Sequence, residues 1–330
     1  MKNPLRSRIR WPVLTALAAA AGLAFAALQI VIQPPIALSA GGNGDKPKVQ
    51  RAGNGLLTVI YGDSPAGAPV VYDVKAALER PARDIFVRTC MPDATRTCNA
   101  AADWTAARNI SNSALLSSIT TDWRGTLGEP SPFAGDIDKA NVKMAGPLVV
   151  VTWISKYCPD GDLSVDGIQP SVQRAIQYQE REVRVIPFSC TWVAYSTNSG
   201  VAWSAPRQLT TGIRDAIQDA SNGGFDTVSK KGQIAITWQE DPQGLLLGEA
   251  EGPGDGASGA LVTGGTDIWY SYATVDLAVP STPADDFVIA PPVRLTDNWQ
   301  GQLGLGKSEN RVIGRDGFTV EDDKQLQLVA

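Results

Sequence analysis

The sequence predicts an all-β protein of repeated units, a partial β-propeller with about three recognisable blades and long loop insertions. Three observations carry that expectation. One order of three strand-like segments occurs three times; the first segment of each unit is apolar almost throughout; the second alternates aromatic and small residues.

The elements follow in chain order. Residues 1–40 read as a signal peptide or an N-terminal membrane anchor, because Lys2, Arg6, Arg8 and Arg10 precede an apolar run over 13–32, close to the ~20 residues of a spanning helix. This apolar helix is either cleaved, at Ala24-Phe25-Ala26 or within ALSA (37–40), or kept as an anchor. Residues 41–55 are rich in Gly and Lys and read as a flexible linker. The repeat domain is expected over 56–300. Its apolar strands are LLTVIYGD (56–63), LVVVTWIS (148–155) and IAITWQED (234–241), whose unbroken hydrophobicity requires cover on both faces. The alternating strands are DIFVRT (84–89), TWVAYS (191–196) and DIWYSY (267–272). Short polar strands close each unit: ARNIS (107–111), PRQLT (206–210) and PVRLT (292–296). Sheets stacked about an axis satisfy all three patterns, whereas a β-sandwich leaves the repeat order unexplained. Between these strands, 135–141 and 210–223 read as connections, and 171–185 as an insertion with a short helical turn returning as strand. Because propellers close with four to eight blades, three predict a ring completed by a protein partner or by self-association, or a truncated one, with 301–330 a polar tail or incomplete further blade.

The middle unit holds STNSGVAW (196–203) between its second and third strands. Gly200 suits a turn with positive φ, Asn198 can bond backbone amides, and Trp203 can seal a core. The stretch resembles the Asp-box hairpin of sialidase-like (BNR-repeat) propellers, with Ser196, Asn198, Gly200 and Trp203 in the motif positions. Asn198 stands where the family has Asp, and Ala202 where it has Ser or Thr. From about 145 to 300 the chain is similar to the exported bacterial choice-of-anchor O family, which implies a periplasmic, cell-surface or secreted protein without an assigned biochemical role. Active sialidases hold their substrate with three Arg and use a Tyr nucleophile; VRVIPF (183–188) only echoes the motif of the first Arg, so the resemblance places no catalytic residue.

Composition narrows the chemistry. The chain has no histidine, which removes the usual general base and the commonest transition-metal ligand. A net charge of −5 with 19% charged residues offers no polybasic face, so nucleic acid is not an expected partner. Four cysteines in an exported chain predict two disulfides. Of the three pairings, Cys90–Cys98 across a short loop and Cys158–Cys190 across the long insertion are expected.

Two acidic groups are candidate sites. Asp160, Asp162 and Asp166 lie in a Gly-containing turn of the kind that binds Ca²⁺, though such turns are more often merely solvated. Glu240, Asp241, Glu249, Glu251 and Asp255 fall in a Gly-rich stretch after an apolar strand, where they could bind a ligand or cation or act as an acid and base pair. Arg184, Arg207, Arg214 and Arg294 sit at strand ends, where arginines are usually solvated or ion-paired. Trp153, Trp192, Trp203, Trp238 and Trp269 are expected between blades rather than on sugars. The leading expectation is an exported, non-enzymatic interaction or binding module, with carbohydrate among its partners and membrane contact only through the N-terminal segment. The alternative is a sialidase-like glycosidase using carboxylates of residues 240–255.

Overall fold

The computed structural model describes residues 32, 34–39, 43–125, 128–163, 167–178, 181–241, 246–247, 260–261, 267–278, 287–295, 312–313 and 319–320. The chain divides into two compact units, Met1–Ile36 and Ala37–Ala330, and every described strand belongs to the second. Nearly all of the apolar run over 13–32 lies outside the described residues. Among the described residues no helix is long and apolar enough to cross a membrane.

The fold is all-β, and the one helical element among the described residues is a 3-10 turn, Ala101–Asp103. Strands β1 (Asp45–Arg51), β2 (Leu57–Asp63), β3 (Val70–Asp73), β4 (Leu78–Pro81), β5 (Asp84–Cys90) and β6 (Arg108–Asn109) form the first unit. Strands β7 (Ser117–Thr121) and β8 (Ser131–Ala134) connect it to the second, which comprises β9 (Ile137–Ala145), β10 (Leu148–Ser155), β11 (Ala175–Tyr178), β12 (Arg184–Pro187), β13 (Cys190–Ser196) and β14 (Arg207–Gln208). The third contains β15 (Asp215–Asp226), β16 (Lys231–Asp241), β17 (Leu246–Leu247), β18 (Ala260–Leu261), β19 (Asp267–Asp276), β20 (Phe287–Ile289) and β21 (Val293–Arg294). A two-stranded pair, β22 (Val312–Ile313) with β23 (Thr319–Val320), follows.

Each unit builds one antiparallel sheet whose spatial order repeats its chain order: β1-β2-β5-β6, then β9-β10-β13-β14, then β15-β16-β19-β20 with β21 also paired to β19. The middle sheet is covered on both faces, which is why β10 is buried along its whole length. Val149, Val151 and Trp153 join Ile60, Ile85 and Val87 of the first sheet in one core. Leu148 and Val150 point the other way, against Ile234, Ile236 and Trp238 of the third. Burying each such side chain is worth about 1.5–3 kcal/mol, so an unbroken apolar strand stabilises two interfaces at once. Gly146, in the turn between β9 and β10, has φ +58, and a Cβ there would come within 2.6 Å of the Phe225 ring, so the turn needs glycine to lie against the third sheet.

The first strand of every sheet departs from expectation. β1 runs through the segment read as a linker, and β9 and β15 run through segments read as connections. β1 is held largely by polar groups, which apolar periodicity does not register, whereas β9 also buries Ile137, Ala140, Val142 and Met144, and β15 buries Ala216 and Ile217. β1 lies against β9 and β9 against β15. Lys46 pairs with Asp138, Lys48 donates to Asn141, and the Met144 amide donates to Gln50 Oε1 at 3.0 Å. Among the described residues no comparably close packing joins the fourth strands of neighbouring sheets.

A hairpin interrupts each sheet between its second and third strands: β3-β4, β11-β12 and β17-β18. In 171–185 this replaces the expected helical turn, because Glu182 and Val183 adopt φ of +54 and +58 in the tight turn before β12. β3-β4, β11-β12 and β7-β8 share a satellite core of Val71, Tyr72, Trp123, Phe133, Tyr178 and Ile186. Both disulfides form as expected, Cys90–Cys98 and Cys158–Cys190, and no cysteine is left free.

Candidate functional site

The Ser196–Trp203 hairpin joins β13 to β14. The Gly200 amide donates to Ser196 Oγ at 2.9 Å, the Ala202 amide to Asn198 Oδ1 at 2.8 Å, and Trp203 Nε1 to the Gly200 carbonyl at 3.1 Å. Gly200 has φ +81, and a Cβ there would lie 2.7 Å from Thr89 Cγ2. Trp203 packs against the core between the first and second sheets. These four residues therefore build a turn. The Ser199 amide donates to the Pro147 carbonyl at 2.8 Å, which places the turn at the β9-β10 end of the sheet, away from the inserted hairpins.

At the hairpin end lies a cavity of about 160 Å³, lined among others by Tyr72, Arg80, Asp136, Asp138, Lys156 and Asp215. Its charges are engaged with one another or with backbone. Arg80 grips Asp136 through two bonds of 2.8 and 2.7 Å and reaches Asp73 at 2.8 Å. Burial works against ionisation of Asp73, yet the Ala76 amide and Arg80 outweigh it and hold the carboxyl below its usual range. Asp138 is partly buried and likewise held low, by Lys46 and the Lys139 amide. Asp215 accepts the Ser189 amide at 2.7 Å, and Lys156 donates to the Pro187 carbonyl at 2.7 Å. Lys75 and Lys139 have partners as well.

A larger cleft, about 870 Å³, follows β14 and is bordered by Asn112, Tyr157, Asp160, Asp162, Trp192 and Arg207 as well as by Ile289–Pro292. Its floor forms because the loop after β10 folds over the edge strand: the Asp160 amide donates to Gln208 Oε1 at 3.2 Å, and Gln208 Nε2 donates back to the Asp160 carbonyl at 3.0 Å. The Cys158–Cys190 disulfide fixes the root of that loop. Tyr157 stacks on Trp192 with ring centroids 6.0 Å apart and planes 11° from parallel. Asp160 Oδ1 is buried with no hydrogen-bond partner, and burial pushes that carboxyl up. Burial, and then the neighbouring Asp160 charge, push the Tyr157 hydroxyl up as well.

The predicted carboxylates meet different fates. Glu240 and Asp241 are not on a loop: they end β16 and are buried. Glu240 faces Asp267 across the strands and accepts from Trp238 Nε1 at 2.8 Å. Burial, against the pull of Trp238 and Arg214, pushes Glu240 up to about 7. Asp267 accepts from Arg294 Nη2 at 2.5 Å, with Arg214 at 3.9 Å. Glu249, Glu251 and Asp255 lie outside the described residues, as does Asp166. Among the described residues no three acidic or cysteine side chains gather as a metal site, so the calcium reading of Asp160, Asp162 and Asp166 rests on sequence alone.

Trp153 and Trp238 are core side chains, as expected. Two features escaped sequence reasoning. Asp84 Oδ1 accepts Ser111 Oγ at 2.6 Å and the Ser113 and Ala114 amides at 2.7 and 3.1 Å, while Oδ2 accepts Asn109 Nδ2 at 2.8 Å. Asn109 and Ser111 belong to the short polar segment 107–111, so the repeat did mark this buried carboxylate's partners. The Arg80–Asp136 pair joins residues 56 apart and leaves no local signal. Compared with protein-family models and with curated proteins, the chain matches none.

Proposed function

We propose that the chain is an exported, non-enzymatic binding module whose sheets are blades of a sialidase-like β-propeller. The repeated meander, the gathering of the first strands alone, and the Ser196–Trp203 turn between a third and a fourth strand all support the blade reading. The two disulfides suit an oxidising compartment. Val49, Tyr272 and Val288 remain 64%, 39% and 57% exposed, apolar surface of the sort that a further sheet or a partner covers.

One observation carries the non-enzymatic part. The alternative, hydrolysis by carboxylates of residues 240–255, needs those groups to converge on an accessible pocket. In the cavity at the hairpin end Asp73, Asp136 and Asp138 are paired to Arg80 and Lys46, and Glu240 and Asp267 are buried at a strand end. Those carboxyls hold the fold together, while the open cleft along β14, bordered by Tyr157, Asp160 and Asp162, remains available to a ligand.

Cell fractionation of the full chain, with alkylation of free thiols, tests export: the protein is expected outside the cytoplasm with all four cysteines resistant to alkylation. Aryl glycosides are expected to release no chromophore. Turnover abolished by Glu240→Gln or Asp267→Asn overturns the reading.

A further inference from the structure

Beyond the binding-module reading, we propose that Ala37–Ser39 is a strap built into the fold and kept in the mature protein, so that cleavage on export falls before it and not within ALSA (37–40). Side chains along β2 and β5 alternate between the two faces of the first sheet. Ile60 and Val87 enter the core shared with the second sheet, so their neighbours Tyr61 and Arg88 stand on the opposite face. There the half-buried Leu38 meets them. Its carbonyl accepts the Tyr61 hydroxyl at 3.1 Å and Arg88 Nη1 at 3.0 Å. Tyr61 is only 4% exposed, and its ring stacks on Phe86 with centroids 6.0 Å apart.

Arg88 ties this contact to the rest of the domain. Its Nε donates to the Thr105 carbonyl at 2.6 Å and its Nη2 to the Ala101 carbonyl at 3.3 Å. Both carbonyls lie in the loop that follows the Cys90–Cys98 disulfide. Each of the three guanidinium nitrogens thus has a backbone acceptor, and Leu38 supplies one of them. The chain then returns to the sheet: Ser39 Oγ lies where a Cβ on Gly44 would come within 3.0 Å, and the Asn43 amide donates to Asp63 Oδ1 at 3.3 Å. A leader that is discarded needs only small side chains at its cleavage site and an apolar run before them. It needs no acceptor matched to two donors of the domain it leaves. Cleavage at Ser39 or Ala40 would take the Leu38 carbonyl away from Tyr61 and Arg88, whereas cleavage at Ala24-Phe25-Ala26, or retention of the anchor, spares the strap.

Two measurements on the full chain test this. The amino terminus of the exported protein is read by intact mass: a start at or before Ala37 is expected, and a start between Leu38 and Gly41 overturns the proposal. A chain found intact in the cytoplasm counts against the export reading instead, and the second measurement then decides the strap by itself. For that measurement a specific-protease site is inserted between Ala40 and Gly41, and urea unfolding is followed before and after the cut. Severing the strap removes one neutral hydrogen bond and one to a charged group, and should lower the midpoint by roughly 0.5 M or more. In the double variant Tyr61→Phe, Arg88→Met the same cut should shift the midpoint far less, because the Leu38 carbonyl has already lost both donors. Comparing each protein with its own uncut form removes the effect of the substitutions on folding. An unchanged midpoint in the parent, or an equal drop in the double variant, overturns the proposal and leaves the binding-module reading standing.

Discussion

Glu240→Gln should change how the stability of this protein depends on pH. Glu240 is 5% exposed, faces Asp267 across the sheet, and has Trp238 Nε1 as a hydrogen-bond donor. Burial carries its pKa from an ordinary 4.5 to about 7. The folded protein therefore keeps this proton at pH values where the unfolded chain has released it. The associated stability is fully present below the unfolded value of 4.5, falls as pH rises, and is lost once pH passes the folded value of about 7. At about 1.4 kcal/mol per pH unit, the whole loss is on the order of 3 kcal/mol. Gln cannot ionise and its carbonyl can still accept from Trp238, so the variant should lose this slope. Urea unfolding followed by tryptophan fluorescence at pH 5, 6, 7 and 8 measures the difference between the two proteins. The variant should gain on the parent steadily over that interval and hold its advantage at pH 8. Parallel curves at all four pH values would show that Glu240 is ionised in the fold and that its burial is relieved in another way.

Three further outcomes follow from other contacts. Asp84→Ala removes the acceptor for the Ser113 and Ala114 amides and should destabilise the protein by about 3 kcal/mol or more, read as a lower urea midpoint; a change under about 1 kcal/mol would mean that water replaces the carboxylate. Asn198→Ala removes the acceptor for the Ala202 amide and should cost about 1 kcal/mol in the same measurement, and an unchanged midpoint would contradict its role in the turn. The Cys158–Cys190 bond spans 32 residues and Cys90–Cys98 spans 8, so by loop closure replacing the former pair with Ser should cost about 3–4 kcal/mol and the latter about 2–3 kcal/mol; the reverse order in thermal unfolding would point to native-state contacts instead.

The legible parts were those in which one segment carries its own signal. Leu148–Ser155 announced burial on both faces by lacking any alternation, and β10 is buried from end to end. Ser196, Asn198, Gly200 and Trp203 announced their turn because its bonds close within eight residues. The first strands were not legible. β1 reads DKPKVQR, and its place becomes apparent only when Lys46 and Lys48 are seen against Asp138 and Asn141, more than 90 residues away. Glu240 and Asp241 misled for the converse reason: a carboxylate beside a Gly-rich stretch looks like a loop residue, but β16 extends to Asp241 and buries both.

By itself the sequence determined the strand class, the three-fold repetition, the oxidising chemistry of the cysteines and the absence of histidine catalysis, since each depends on composition or on spacing along one strand. Only the tertiary structure decided which charges find partners and which do not. Asp136 and Asp160 are both polar residues near strand ends, yet one meets Arg80 and the other meets no donor. Ion pairing and desolvation act over a few ångströms in space, whatever the separation along the chain, so that distinction belongs to the fold.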